Sequence, residues 1–228
     1  MEHAKIKPEV EAISQMKLNF NIRDWNFNAL DQSANCLIVT VKEIYSQLNF
    51  FDDFHIDMGV FLHFLWQCHY YYTRNENPFH NFFHGVTVCH AGYFFLANCP
   101  QLADLLSPHI KLAFITACLG HDLDHRGRNN QFEMNTQSKL ALRYFHNSPL
   151  EHHHAAVLFT ILRSDDSNIF KHVADDQMAE IKKNMIENIL ATDMRLHFPM
   201  LADFKKKLRG SPDFCRPISD LRHSKRRP

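Results

Sequence analysis

Apolar residues recur at spacings of three and four along segments 36–49, 57–72, 80–98 and 108–125, the period of a helix with one buried face. Strand signals are few: glycine totals 6, and no Asn-Gly hairpin dipeptide interrupts the pattern. The pattern predicts an all-α chain. Ser107-Pro108 sets a capping hydroxyl before a proline at the first helical position, so a helix opens there. Its apolar run, LAFITACLG, leads on into HDLDH, and Gly127 stands where a helix C-cap belongs. Asp175 or Asp176 can cap QMAEIKKNMIENILATDMRLHF, which Pro199 should end or kink because its nitrogen carries no proton. No repeat, low-complexity linker or internal domain boundary shows in the pattern.

With 45% of its 228 residues hydrophobic and 20 of them Phe, the chain can bury the core of one large domain or of two subdomains sharing a core. Lys and Arg number 25 and so do Asp and Glu, which gives no ground for nucleic-acid binding or for charge-driven disorder. The six cysteines, at 36, 68, 89, 99, 118 and 215, lie mostly in apolar segments and form no C-x-x-C pair, so they read as buried, reduced thiols. Residues 1–20 mix acids with bases and lack the apolar stretch of a signal peptide. GVFLHFLWQCHYYY (59–72) is broken by His63, Gln67 and His69, and it is shorter than the roughly 20 residues a bilayer span needs. A cytoplasmic protein with no membrane span is expected.

Chemistry concentrates in two short stretches. HDLDH (121–125) holds two histidines and two aspartates in five positions. On a helix His121 and Asp122 point about 100° apart, with His125 one turn beyond His121, so all three can reach one cation. HNFFH (80–84) repeats the device, with His80 and His84 at i and i+4. Imidazole suits zinc and other transition metals, and carboxylate with water suits magnesium or manganese, so the mixed cluster points to a hydrolytic site with one or two cations. With 17 histidines in the chain one such pair alone means little, and His63, His69, His90, His109 and His172 read as core or surface residues. No G-x-S-x-G elbow, P-loop or G-x-G-x-x-G pattern offers a rival chemistry.

Four motifs in order, NPFHNFFHGVTV, LGHDLDHRGRNNQF, LALRYFHNSPLEHHHAAV and ILATDM, resemble the catalytic domain of the class I cyclic nucleotide phosphodiesterases, within the wider HD-domain hydrolases. The resemblance covers residues 35–205, after an N-terminal extension over 1–34 and before a basic tail over 206–228. NPFHNF and SPLE lean to the cyclic-GMP-preferring type 9 group, and EHHH and HDLDHRG to types 5 and 11. It implies a compact multi-helix fold and hydrolysis of cyclic GMP or cyclic AMP to the 5′-monophosphate in cyclic nucleotide signalling. His84, His121 and Asp122 match ligands of a tightly held metal, usually zinc, with Asp122 bridging to a second, usually magnesium or manganese. Two such cations, about 3.5–4 Å apart, turn a shared water into the hydroxide that attacks phosphorus.

The resemblance further implies a catalytic set of His80, His125, Glu151 and Thr192. His80 would protonate the departing 3′ oxygen, an ordinary imidazole near pH 6.5 being charged at little cost. His125, Glu151 and Thr192 would hold the water network of the second metal. Phe79, where many members carry Tyr, Met194 and His80 would line the substrate pocket. Of the run His152, His153 and His154, His154 is the one expected to face inward. Glu151 also suits a first helical turn, and Asn129 and Asn130 suit the turn after Gly127. The family's fourth metal ligand, an aspartate, and its purine-binding residues lie farther downstream than this sequence runs, and Asp220 follows Asp193 too closely to replace that aspartate. The sequence therefore predicts the front portion of the fold, as a cyclic nucleotide phosphodiesterase or, alternatively, as a catalytically impaired metal-binding or regulatory fragment of one, with apolar faces open to association with other chains.

Overall fold

The computed structural model describes Ile13 and residues 16–210; Cys215, Asp220 and the rest of the tail from 211 onward lie outside the described residues. Two compact units divide the chain, Met1–Leu190 and Ala191–Pro228. Eleven α-helices and a short 3₁₀ turn, Ala29–Asp31, make up the regular structure, with no strand among the described residues. No helix among them is long and apolar enough to cross a membrane.

In the first unit, α1 (Ala34–Gln47), α2 (Phe50–Asp53), α3 (Met58–Thr73), α4 (Phe82–Asn98), α5 (Pro100–Leu105) and α6 (Pro108–Gly120) precede the candidate motif at 121. After it come α7 (Asn130–Asn135), α8 (Lys139–Arg143), α9 (Pro149–Leu162) and α10 (Asp175–Leu190). Side-chain caps start many of these helices: Ser33 accepts from the Cys36 N–H, Asp57 from Gly59 and Val60, Asn129 from Phe132 and Ser138 from Ala141. Helix α6 is the central element, packed on α4 and α10. Its Leu112, Ile115 and Leu119 are fully buried with Leu37, Phe64, Val86, Leu158 and Met185 from five neighbouring helices. A helix surrounded in this way shows little amphipathic contrast, because every side meets apolar neighbours. Tyr45 of α1 and Thr116 of α6 share a buried hydroxyl–hydroxyl bond of 2.8 Å, which satisfies both polar groups inside the core.

Three helix ends differ from those the pattern predicts. Helix α6 ends at Gly120, so HDLDH is a sequence of turns and not a helix. The Tyr72 hydroxyl donates to the Leu119 carbonyl at 2.8 Å and accepts the Asp122 N–H at 3.2 Å, taking over bonds a further helical turn would use. Asp124 then adopts φ 62°, and its N–H goes to the Tyr71 carbonyl at 3.2 Å. Gly127 does take a left-handed φ of 74°, but as a loop residue whose N–H bonds His125 Nδ1.

Helix α4 begins at Phe82, because Asn81 Oδ1 accepts the N–H groups of Phe83 and His84. His80 therefore precedes the helix and does not share a helical face with His84. In the second unit α11 (Met194–Gly210) contains Pro199 in its interior. The break falls earlier, at 191–193, where Asp193 accepts the Arg195 N–H on Oδ1 at 2.9 Å and the Leu196 N–H on its carbonyl at 2.8 Å, opening a new helix.

Candidate metal centre

His84 enters from the first turn of α4, and His121 and Asp122 from the turn that closes α6. His84 Nε2, His121 Nε2 and Asp122 Oδ2 lie 3.1 Å from one another in all three pairings. Ligands at about 2.0–2.1 Å around a tetrahedral cation sit roughly 3.3 Å apart, so this triangle has the size of one face of such a site. His121 Nδ1 donates to the Cys118 carbonyl at 2.9 Å, which puts the ring proton on Nδ1 and leaves the Nε2 lone pair facing the triangle. The donors fit a divalent cation.

Asp122 turns its other oxygen to a second group, formed with His125 and His154. His154 Nε2 is 3.6 Å from Asp122 Oδ1, and His154 Nδ1 donates to the Leu123 carbonyl at 2.7 Å, again leaving Nε2 free to bind. His125 differs. Its Nδ1 accepts the Gly127 N–H at 3.0 Å and faces Asn77 Nδ2 at 3.1 Å, so in the neutral ring the proton is on Nε2 and His125 presents a donor. A ring that donates suits a bound water or anion better than a cation.

Charge in the cluster is strongly coupled. Burial works to raise the Asp122 carboxyl, yet the His121 and His84 rings beside it hold it far below the usual carboxylate range. Burial lowers His121, but Asp122 outweighs it and the net shift is upward. Burial pushes His125 down to about 4, helped by His80, and pushes His154 down to about 3. Both stay neutral near pH 7, as ligands and hydrogen-bonding rings in a cationic site must. His80 is also lowered, first by burial, so a charged donor is scarcer at neutral pH than an ordinary imidazole would supply.

The remaining expected residues fall as follows. His80 stacks on His125 with centroids 3.9 Å apart and planes at 17°, and its ring centre is 5.6 Å from that of His84. Phe79 is 64% exposed, with its ring 5.0 Å from His84, on the solvent side of the cluster. Glu151 is buried and accepts from Asn130 Nδ2 at 2.8 Å; Asn130 Oδ1 in turn accepts the Leu150 N–H. Asn129 caps α7 and Asn130 opens it, so both do more than form a turn. Thr192 and Met194 belong to the second unit. His63, His69, His90, His109 and His172 stand outside both groups, His90 bonding the Ile22 carbonyl at 2.8 Å and His109 pairing with Glu180.

Two features escaped sequence reasoning. His154, expected only to face inward, stands among the candidate ligands, and Asp124 does not. The Asp124 side chain is wholly buried and bonded by Arg74, Asn75 and His153. Burial works to raise its carboxyl, but bonds from His153, Arg74 and Asn75 hold it well below the usual range.

A family model described as 3′5′-cyclic nucleotide phosphodiesterase matches residues 79–225. The chain is 37% identical over 204 residues to the human high affinity cGMP-specific 3′,5′-cyclic phosphodiesterase 9A, which is 89% of this chain and 32% of that protein. To the 3′,5′-cyclic-nucleotide phosphodiesterase regA of Dictyostelium discoideum it is 32% identical over 191 residues, 84% of this chain and 24% of that one. Its backbone resembles the crystal structure of the phosphodiesterase domain of the RhoPDE fusion protein from the choanoflagellate Salpingoeca rosetta, with a TM-score of 0.79 and 30% identity, over 93% of this chain and 65% of that one. The chain belongs to the 3′,5′-cyclic nucleotide phosphodiesterase family. It spans about a third or less of the length of the curated relatives just named. Relatives named as type 9A recur in human, mouse and fly, which lends weak support to a lean toward that group, since cyclic-AMP and dual-specificity enzymes match as well.

Proposed function

We propose that the protein hydrolyses 3′,5′-cyclic GMP or cyclic AMP to the 5′-monophosphate. The observation that carries this is the triangle of His84 Nε2, His121 Nε2 and Asp122 Oδ2, 3.1 Å on each side, with the free Asp122 oxygen turned toward His154. The first three residues would hold zinc, and Asp122 with His154 would face magnesium or manganese. Bound divalent cations supply positive charge for the phosphoryl oxygens and activate water at neutral pH.

The chain's own side chains do the rest. His80 would deliver a proton to the 3′ oxygen as the P–O3′ bond breaks, and its stacking against His125 supports that reading. His125 Nε2–H and the Glu151 carboxylate orient water beside the Asp122 group, and Phe79 forms an aromatic wall of the substrate pocket. For Thr192 and Met194 the reading rests on the ILATDM motif alone. Cys36, Cys68, Cys89, Cys99 and Cys118 are free thiols, in keeping with a cytoplasmic enzyme. Exposed apolar side chains such as Leu105 and Phe145, 81% and 88% accessible, offer faces for association with other chains.

The test is to load purified protein with zinc and then magnesium or manganese, supply each cyclic nucleotide, and separate the products by chromatography. The 5′-monophosphate should form, and chelation should abolish it. Cation uptake without turnover would reduce the chain to a metal-binding member of the family, and absence of uptake would overturn the reading of the site.

A further inference from the structure

The two cation groups are tied to the fold by different tethers. The first is fixed from the α6 side, His121 by the Cys118 carbonyl and Asp122 by the Tyr72 hydroxyl. Neither tether involves Asp124. The second group draws His125 from the loop and His154 from α9, two segments that meet at the Asp124 carboxylate.

That carboxylate has no exposed surface. Arg74 Nε donates to Oδ1 at 2.7 Å and Arg74 Nη2 to Oδ2 at 2.6 Å, a two-pronged clamp from the end of α3. Asn75 Nδ2 donates to Oδ1 at 2.6 Å and reaches the His125 carbonyl at 3.4 Å. His153 Nε2, on the residue next to His154, donates to Oδ2 at 2.7 Å. Arg126 approaches more loosely, at 3.6 Å. Asp124 itself takes a φ of 62°, a left-handed backbone conformation that a non-glycine residue adopts at a cost and that the surrounding bonds hold in place. Asp124 stands between Asp122 and His125 in the chain, and both of those belong to the second group.

We propose that Asp124 is a positioning residue: through Arg74, Asn75 and His153 it sets the separation of Asp122, His125 and His154, and so governs affinity for the second cation while leaving the first largely alone. This rests on the two-cation reading above. Outer hydrogen-bonding partners of ligand residues govern metal affinity by 10–100-fold in other sites, which sets the expected scale.

The experiment compares metal-free wild type with Asp124→Asn and His153→Ala, each checked for native helicity by far-ultraviolet circular dichroism. Zinc is titrated first by calorimetry, then Mn²⁺ by electron paramagnetic resonance of the free ion. Both variants should bind zinc within about threefold of wild type and Mn²⁺ at least tenfold more weakly, a loss on the scale given by outer partners elsewhere. Should Asp124→Asn not fold, His153→Ala decides, since it leaves the Arg74 and Asn75 bonds to Asp124 in place. Unchanged Mn²⁺ affinity in a folded variant, or equal loss of both ions, overturns the proposal and leaves the two-cation reading standing. A wild-type chain that bound zinc but no Mn²⁺ would sink both.

Discussion

The Tyr72 hydroxyl accepts the Asp122 N–H at 3.2 Å from the far end of α3, and in the same position donates to the carbonyl of Leu119. One buried phenol thus stops α6 and places the aspartate shared by both candidate cation groups. Tyr72→Phe should cost about 1–3 kcal/mol, the scale for leaving buried backbone groups unsatisfied, and urea unfolding would show it. Gly85→Ala should strain the same contact, because an added Cβ would lie 2.8 Å from the Tyr72 ring. A melting profile equal to wild type in both variants would remove Tyr72 from this role.

Asp122→Asn should deplete both cations, because it removes the charge of the one carboxylate common to the two groups. Elemental analysis of protein purified with zinc and magnesium checks it. Metal content equal to wild type would show that Asp122 bridges nothing.

His80→Ala should lower turnover of cyclic nucleotide by about 10²–10⁴ and leave metal content near wild type, since a proton donor need not be a ligand. The ring stacks on His125 and is absent from both ligand groups, which is why the two effects should separate. A parallel loss of metal would make His80 a ligand.

Metal-free protein should lose stability as the pH falls from 6.5 toward 4. His125 and His154 sit at about 4 and about 3 when folded, and unfolding returns each to the ordinary value near 6.5. Across that window the unfolded chain therefore binds more protons, so stability rises with pH and drops on acidification. His121, raised in the fold, opposes this, but His69, His80 and His90 are lowered by burial and act in the same direction as His125 and His154. The Tm should fall by about 5 °C or more between pH 7 and pH 4.5, measured by calorimetry, and His154→Gln should flatten the profile. A Tm that held constant or rose on acidification would contradict the burial of these rings.

Periodicity was enough to show an all-helical protein, because long segments such as 57–72 and 80–98 repeat their apolar positions at a spacing that only a helix can bury. The residues of the candidate metal centre were legible only in part: HDLDH suggested His121, Asp122 and His125 on one cation, the family resemblance added His84, and the fold groups His84 with His121 and Asp122 but sets His125 with Asp122 and His154. Helix ends were not legible. Where α6 stops depends on a hydroxyl 47 positions away in the chain, and no local signal at Gly120 announces it. The same holds for the two aspartates of HDLDH, alike in sequence and opposite in use: Asp122 faces the cation groups, whereas Asp124 is consumed by Arg74, 50 positions upstream, and His153, 29 positions downstream. Backbone period is a property of neighbouring residues and can be read along the chain, but the partner of a buried charge is chosen by packing, which brings distant segments together only in three dimensions.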